Sequence, residues 1–131
     1  MTWLWVMAGS AIGGVLRYWL SGLASNHISE TFPIGTMIVN VTGSFVIGFF
    51  ATLTGPDGRV FASSDTRQFV MTGICGGYTT FSSFSLQTLN LANDGEFALA
   101  GVNVVASVVL CLVAVWLGFI AAAALNQLRG A

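Results

Sequence analysis

Charged residues punctuate this chain. They are Arg17, Glu30, Asp57, Arg59, Asp65, Arg67, Asp94, Glu96 and Arg129, and between them run charge-free stretches over 1–16, 31–56, 68–93 and 97–128. A helix needs about 20 mostly apolar residues to cross a bilayer. The last three stretches are long enough as they stand, and the first becomes so if Arg17 sits near a helix end. The pattern predicts four spans, at about 3–23, 34–54, 67–91 and 97–125, forming a single transmembrane domain over 1–131.

Turn chemistry fits these seams. Pro33 stands where a helix can start, and Gly55-Pro56-Asp57-Gly58 is a plain turn signal. Asn93-Asp94-Gly95 leaves so short a seam that the last two spans must be antiparallel neighbours. Trp3 and Trp5 suit a membrane interface. The pairs Gly9/Gly13, Ser10/Gly14, Ser44/Gly48 and Gly118/Ala122 place small residues one turn apart, which lets helices approach closely.

The third span is written differently. From Gly73 to Ser85 it carries three glycines in five residues, Gly73, Gly76 and Gly77, and then a run dense in Ser and Thr. Each glycine weakens a helix by about 1 kcal/mol relative to alanine. Irregular backbone at membrane depth is tolerated where it is buried in protein or lines a path, and transporters place ion sites at such breaks. A broken third helix with a functional role is the expectation. The alternative is that the glycines serve tight packing while the hydroxyls bond back one turn.

Composition narrows the class. The 131 residues are 55% hydrophobic and 7% charged, against about 25% charged in a soluble domain. Such a chain cannot coat a soluble surface, and it is too apolar to be disordered. Four arginines, no lysine and a net charge of −1 exclude a nucleic-acid partner. An all-α membrane protein in contact with lipid remains. The N-terminus lacks a basic region, so no cleavable signal peptide is expected. Cys75 and Cys111 read as small hydrophobes, and His27 as a solvated seam residue. Arg59, Arg67 and Arg129 on one side against Arg17 on the other is too small a bias to fix the orientation.

The spans contain no Asp, Glu or Lys, and the chain has no phosphate loop, catalytic triad or metal-ligand cluster. That argues against an enzyme, and against a proton-coupled carrier, which needs a titratable group in the membrane. What the spans do hold is neutral donors: Asn40, then Thr79, Thr80, Ser82, Ser83 and Ser85, then Asn103 and Ser107. Asn103, Ser107 and Cys111 recur every four residues and form one helical stripe. Hydroxyl and amide hydrogens can replace the water around a small anion. Phe81 and Phe84 share a face, and the positive edge of an aromatic ring suits an anion as well. A helix restarting near 78–80 presents free N–H groups and a positive dipole end. Carbonyls released around 76–79 suit a hard cation instead. Four thin helices can hardly enclose an ion path, so a homo-oligomer, most simply a dimer, is expected.

These residues resemble a known family. The run Gly76-Gly77-Tyr78-Thr79-Thr80-Phe81-Ser82-Ser83-Phe84-Ser85 is similar to the signature of the Fluc (CrcB) fluoride channels. The run from Gly9 to Tyr18, through Arg17, resembles the family's first-span pattern, and the run from Gly35 to Gly43, through Asn40, its second. The resemblance covers nearly the whole chain. It implies an antiparallel, dual-topology homodimer that passively exports cytoplasmic fluoride. The implied location is multi-pass in a prokaryotic plasma membrane (the inner membrane of a Gram-negative cell). It also implies a structural Na+ at the dimer two-fold, held by the backbone carbonyls of Gly76 and Thr79. The fluoride pathway carries over to Asn40, Phe81, Phe84, Ser82, Ser83, Asn103 and Ser107, and a vestibule or packing role to Arg17. Tyr78 and Cys111 depart from the family pattern, as Tyr78 stands where a smaller or aliphatic residue is expected. Two other readings are a small multidrug-type exporter, which would need a membrane-embedded carboxylate, and a non-transporting structural subunit of a membrane complex.

Overall fold

The computed structural model describes residues 1–29 and 31–128. Glu30 and Arg129, two of the punctuating charges, lie outside the described residues. Every regular element among the described residues is helical. The helices are α1 (Thr2–His27), α2 (Ile34–Leu53), α3 (Ser64–Arg67), a π-helical stretch (Gln68–Cys75), α4 (Gly76–Tyr78), α5 (Phe81–Asn93) and α6 (Phe97–Leu128). α2 and α6 are long and apolar enough to cross a membrane.

The first helix runs further than its polarity pattern predicts, so Arg17 lies inside it rather than near its end. Its guanidinium does not need a helix end, because it reaches sideways and donates from Nε to the Gly77 carbonyl at 3.2 Å. The next turn is continued by Ser21, whose hydroxyl bonds back to the Arg17 carbonyl at 2.7 Å.

The fold buries small residues and exposes large ones. α6 turns Ala100, Asn103, Ser107, Ala114, Gly118 and Ala122 inward, while Val105, Leu112, Trp116 and Phe119 on the same helix are exposed. Lipid chains are as apolar as leucine, so helices in a bilayer associate through close backbone packing rather than by sheltering large side chains. α2 packs on α6 in this way: Gly48 faces the Val115 carbonyl and Gly118 the Phe45 carbonyl, with no room for a Cβ at either. α1 packs on the π-helical stretch and α4 through Gly9 and Gly13.

One end of the bundle is tied by side chains. Arg67 donates to the Ala51 carbonyl at 3.3 Å and to the Thr54 hydroxyl, capping the C-terminus of α2. Asn126 of α6 accepts from the Arg59 backbone at 2.7 Å and donates to the Thr52 carbonyl at 3.1 Å. Thr2 donates to Asp65 at 2.7 Å, bringing the start of α1 to the same end. At the opposite end, α5 turns into α6 through Gly95 at φ 82°. The Gly95 N–H bonds to the Ala92 carbonyl and the Glu96 N–H to the Leu91 carbonyl at 2.8 Å, the paired bonds of a Schellman cap.

The third span is broken, and the break lies beyond the glycines. Gly76 is helical at φ −65°, ψ −36°, whereas Thr79 (φ −81°, ψ 157°) and Thr80 (φ −153°, ψ 118°) are extended. Gly73 and Gly77 instead let this span lie against α1. A Cβ on Gly77 would meet the Ser10 carbonyl oxygen at 2.7 Å, and one on Gly73 the Gly9 Cα at 2.9 Å. Packing and breaking both occur, on different residues.

Candidate functional site

The break is held by Asn40. Its amide oxygen accepts the Thr80 backbone N–H at 2.7 Å, and its Nδ2 donates to the Thr80 carbonyl at 3.0 Å. The side-chain amide thus replaces the helical partners of both main-chain groups of one residue, so neither group is left unpaired at the break. Thr80 also caps α5, its hydroxyl accepting the Ser83 N–H at 3.2 Å. Further up the chain, Cys75 O accepts both the backbone N–H and the hydroxyl of Thr79, each at 2.9 Å.

These bonds release carbonyls. In a continuous helix the Thr80 N–H would bond to Gly76 O and the Ser83 N–H to Thr79 O. Both donors are taken by side chains. No hydrogen bond to Gly76 O or Thr79 O forms among the described residues, whereas Gly77 O is satisfied by Arg17.

Beside the break lies a cleft of about 380 Å³. It brings together Asn40, Gly76, Thr79, Phe81, Phe84 and Ser107 from α2, the two halves of the third span and α6. The Phe81 and Phe84 rings sit 5.3 Å apart, tilted by 51°. Phe84 is partly buried, but Phe81 is 76% exposed, so that ring closes no wall within a single chain. Cys75 and Cys111 also line the cleft as free thiols, and its lining carries no charged side chain. Polar hydrogens in an uncharged wall can hold an anion without binding it too tightly to leave.

The other expected residues lie elsewhere. Ser83 and Arg17 line a second, smaller cleft of about 220 Å³ with Thr36, Thr80 and Gln87. Thr80 therefore stands between the two clefts. Ser82 is exposed at the start of α5, its hydroxyl 3.2 Å from that of Thr80. Asn103 is 1% exposed and lines neither cleft. It donates from Nδ2 to the Thr88 hydroxyl at 2.9 Å and accepts from Ser107 at 3.3 Å. Tyr78 pairs its hydroxyl with Thr42 at 2.8 Å.

Sequence reasoning treated Thr80 as one donor among several and passed over Thr88. Thr80 had a usable signal, since a Thr just before a restarting helix is a favoured cap. Thr88 had none, because its partner lies 15 residues away across the α5–α6 turn.

The chain's relatives share a common name. The family model described as "CrcB-like protein, Camphor Resistance (CrcB)" matches residues 4–119. A protein of Rhodospirillum rubrum named "Fluoride-specific ion channel FluC" is 61% identical over 127 residues, covering 97% of this chain and 98% of its own. Relatives of the same name from Opitutus terrae and Methylocella silvestris are 62% identical over 128 residues and 55% identical over 131. The first of these two alignments covers 98% of this chain and 97% of the relative, and the second covers all of both. The chain belongs to the CrcB family.

Proposed function

We propose that this chain is a fluoride-specific ion channel, which passes the ion passively and carries out no reaction. The observation that carries this reading is the uncharged cleft at the break. There Asn40, Thr79 and Ser107 place polar groups beside the rings of Phe81 and Phe84. Full-length relatives named as fluoride-specific channels give the anion its identity. Fluoride holds its water strongly, so the path must return that hydration through several donors at once. Hydroxyls, amides and ring edges do so without a countercharge that would trap the ion.

The working unit of this reading is an antiparallel homodimer, inserted multi-pass in a prokaryotic plasma membrane and, in Gram-negative cells, in the inner membrane. The exposure of Phe81 favours a second copy, because a ring meant to edge an ion path needs a wall on its other side. The weak charge asymmetry between the seams suits a chain inserted in both orientations. The released carbonyls of Gly76 and Thr79 fit a hard monovalent cation such as Na+, which takes oxygen ligands. Bound there by both copies, such an ion would supply a fixed charge that joins the two breaks. Asn40 and Arg17 hold the backbone of Thr80 and Gly77 in place, and Asn40, by taking the Thr80 N–H, also leaves Gly76 O free for such an ion.

Efflux from liposomes containing only this protein tests the reading, with fluoride and chloride each followed by an ion-selective electrode. Rapid fluoride loss with chloride retained is the expected result. Equal retention of both ions would refute it.

A further inference from the structure

Asn103 and Thr88 sit behind the cleft rather than in it, and their hydrogen bonds run in one direction. The Thr88 hydroxyl donates to the Phe84 carbonyl one turn earlier at 2.7 Å. Its only proton is thereby committed, so toward Asn103 it can act solely as an acceptor. That fixes the Asn103 amide, with Nδ2 toward Thr88 at 2.9 Å and Oδ1 toward α6. The Ser107 hydroxyl, one turn further along α6, donates to that Oδ1 at 3.3 Å. The chain of donors thus runs from Ser107 through Asn103 and Thr88 to the backbone of Phe84.

The two ends of this chain are wall residues of the cleft, since Ser107 and Phe84 both line it. Ser107 is the one member whose proton has a choice. Its bond to Asn103 is the longest of the three, and the hydroxyl rotor can leave it for an anion in the cleft. Were the Asn103 amide reversed, its NH2 would face Ser107 and repel a donated proton. The hydroxyl would then be held as an acceptor, the wrong polarity for an anion.

We propose that Thr88 is a positioning residue for anion passage. By accepting from Asn103, it sets the amide so that Ser107 keeps a mobile proton available to the cleft. Thr88 and Asn103 do not touch the ion, and their effect passes entirely through Ser107. This inference rests on the fluoride-channel reading above.

A double-mutant cycle tests it by fluoride efflux from liposomes, using Thr88→Val, Ser107→Ala and the two combined. The isosteric Val removes the acceptor while preserving volume. Each single variant is expected to lose about tenfold in fluoride efflux, and the double variant to lose no more than Ser107→Ala alone, because coupled residues are non-additive. Thr88→Ser restores the acceptor and should recover the rate. Should Thr88→Val not elute from a sizing column as the unsubstituted protein does, Thr88→Ala takes its place in the cycle. Losses that multiply, or an unchanged rate in either single variant, would overturn the proposal. Absence of efflux from the unsubstituted protein would instead refute the channel reading itself, so the two failures are distinct.

Discussion

Asn40→Asp replaces one atom and tests whether the cleft must be uncharged. The acceptor oxygen facing the Thr80 N–H at 2.7 Å is kept, so the break retains one of its two braces. The other is inverted: where Nδ2 donated to the Thr80 carbonyl at 3.0 Å, a carboxylate oxygen now faces a carbonyl oxygen. The larger effect is on the ion. A carboxylate about 4 Å from an anion repels it by about 4 kcal/mol at an effective dielectric of 20. Each 1.36 kcal/mol on a barrier is tenfold in rate, so fluoride efflux should fall by about three orders of magnitude at neutral pH. Protonation removes the charge, so part of the loss should be recovered as the pH is lowered. Fluoride efflux from liposomes, measured at neutral and acidic pH, reads both effects. An Asn40→Asp protein conducting within tenfold of the original at neutral pH would refute the claim that neutrality of this wall matters.

Phe81→Ile and Phe84→Ile should each abolish fluoride efflux while the protein elutes from a sizing column unchanged, because Phe81 is 76% exposed and contributes little to the fold of one chain. Gly77→Ala should destabilise by about 1–3 kcal/mol, the usual cost of overpacking, since its Cβ would sit 2.7 Å from Ser10 O. A lowered thermal midpoint in detergent reads this. Gly76→Ala is the contrast one residue earlier, where the nearest atom is Met71 O at 3.7 Å and no such drop is expected. Gly95→Ala meets no neighbour, yet should cost about 1 kcal/mol from its left-handed backbone alone. An unchanged midpoint would show that the Schellman turn does not hold α5 to α6.

The helices were legible because lipid imposes long charge-free runs, and the seams because Pro33, Gly58 and Gly95 punctuate them. The existence of a break could be read from Gly73 to Ser85, but its position could not. Glycine lowers the cost of irregular backbone wherever it stands, whereas the break falls where Asn40, 40 residues upstream, offers a substitute peptide partner to Thr80. The π-helical stretch over Gln68–Cys75 left no pattern in the sequence. Asn103 shows the limit of face assignment. Helical spacing places it in line with Ser107 and Cys111, but the same stripe passes from the α5 contact to the cleft along its length. One member is therefore a brace and the others are wall. Such distinctions depend on what lies opposite, which a single chain's periodicity does not encode.

The Asn40–Thr80 pairing has a consequence for how an ion can be discriminated. A side-chain amide clasping both the N–H and the carbonyl of one residue resembles a rung of β-ladder set between two half-helices. It leaves the hinge between those halves little freedom to bend. The backbone at the break is therefore set when the protein folds, and in the proposed channel only rotors such as the Ser107 hydroxyl would turn as the ion arrives. In the proposed channel, the same clasp that keeps the break from fraying would hold one wall of the ion path to a fixed width.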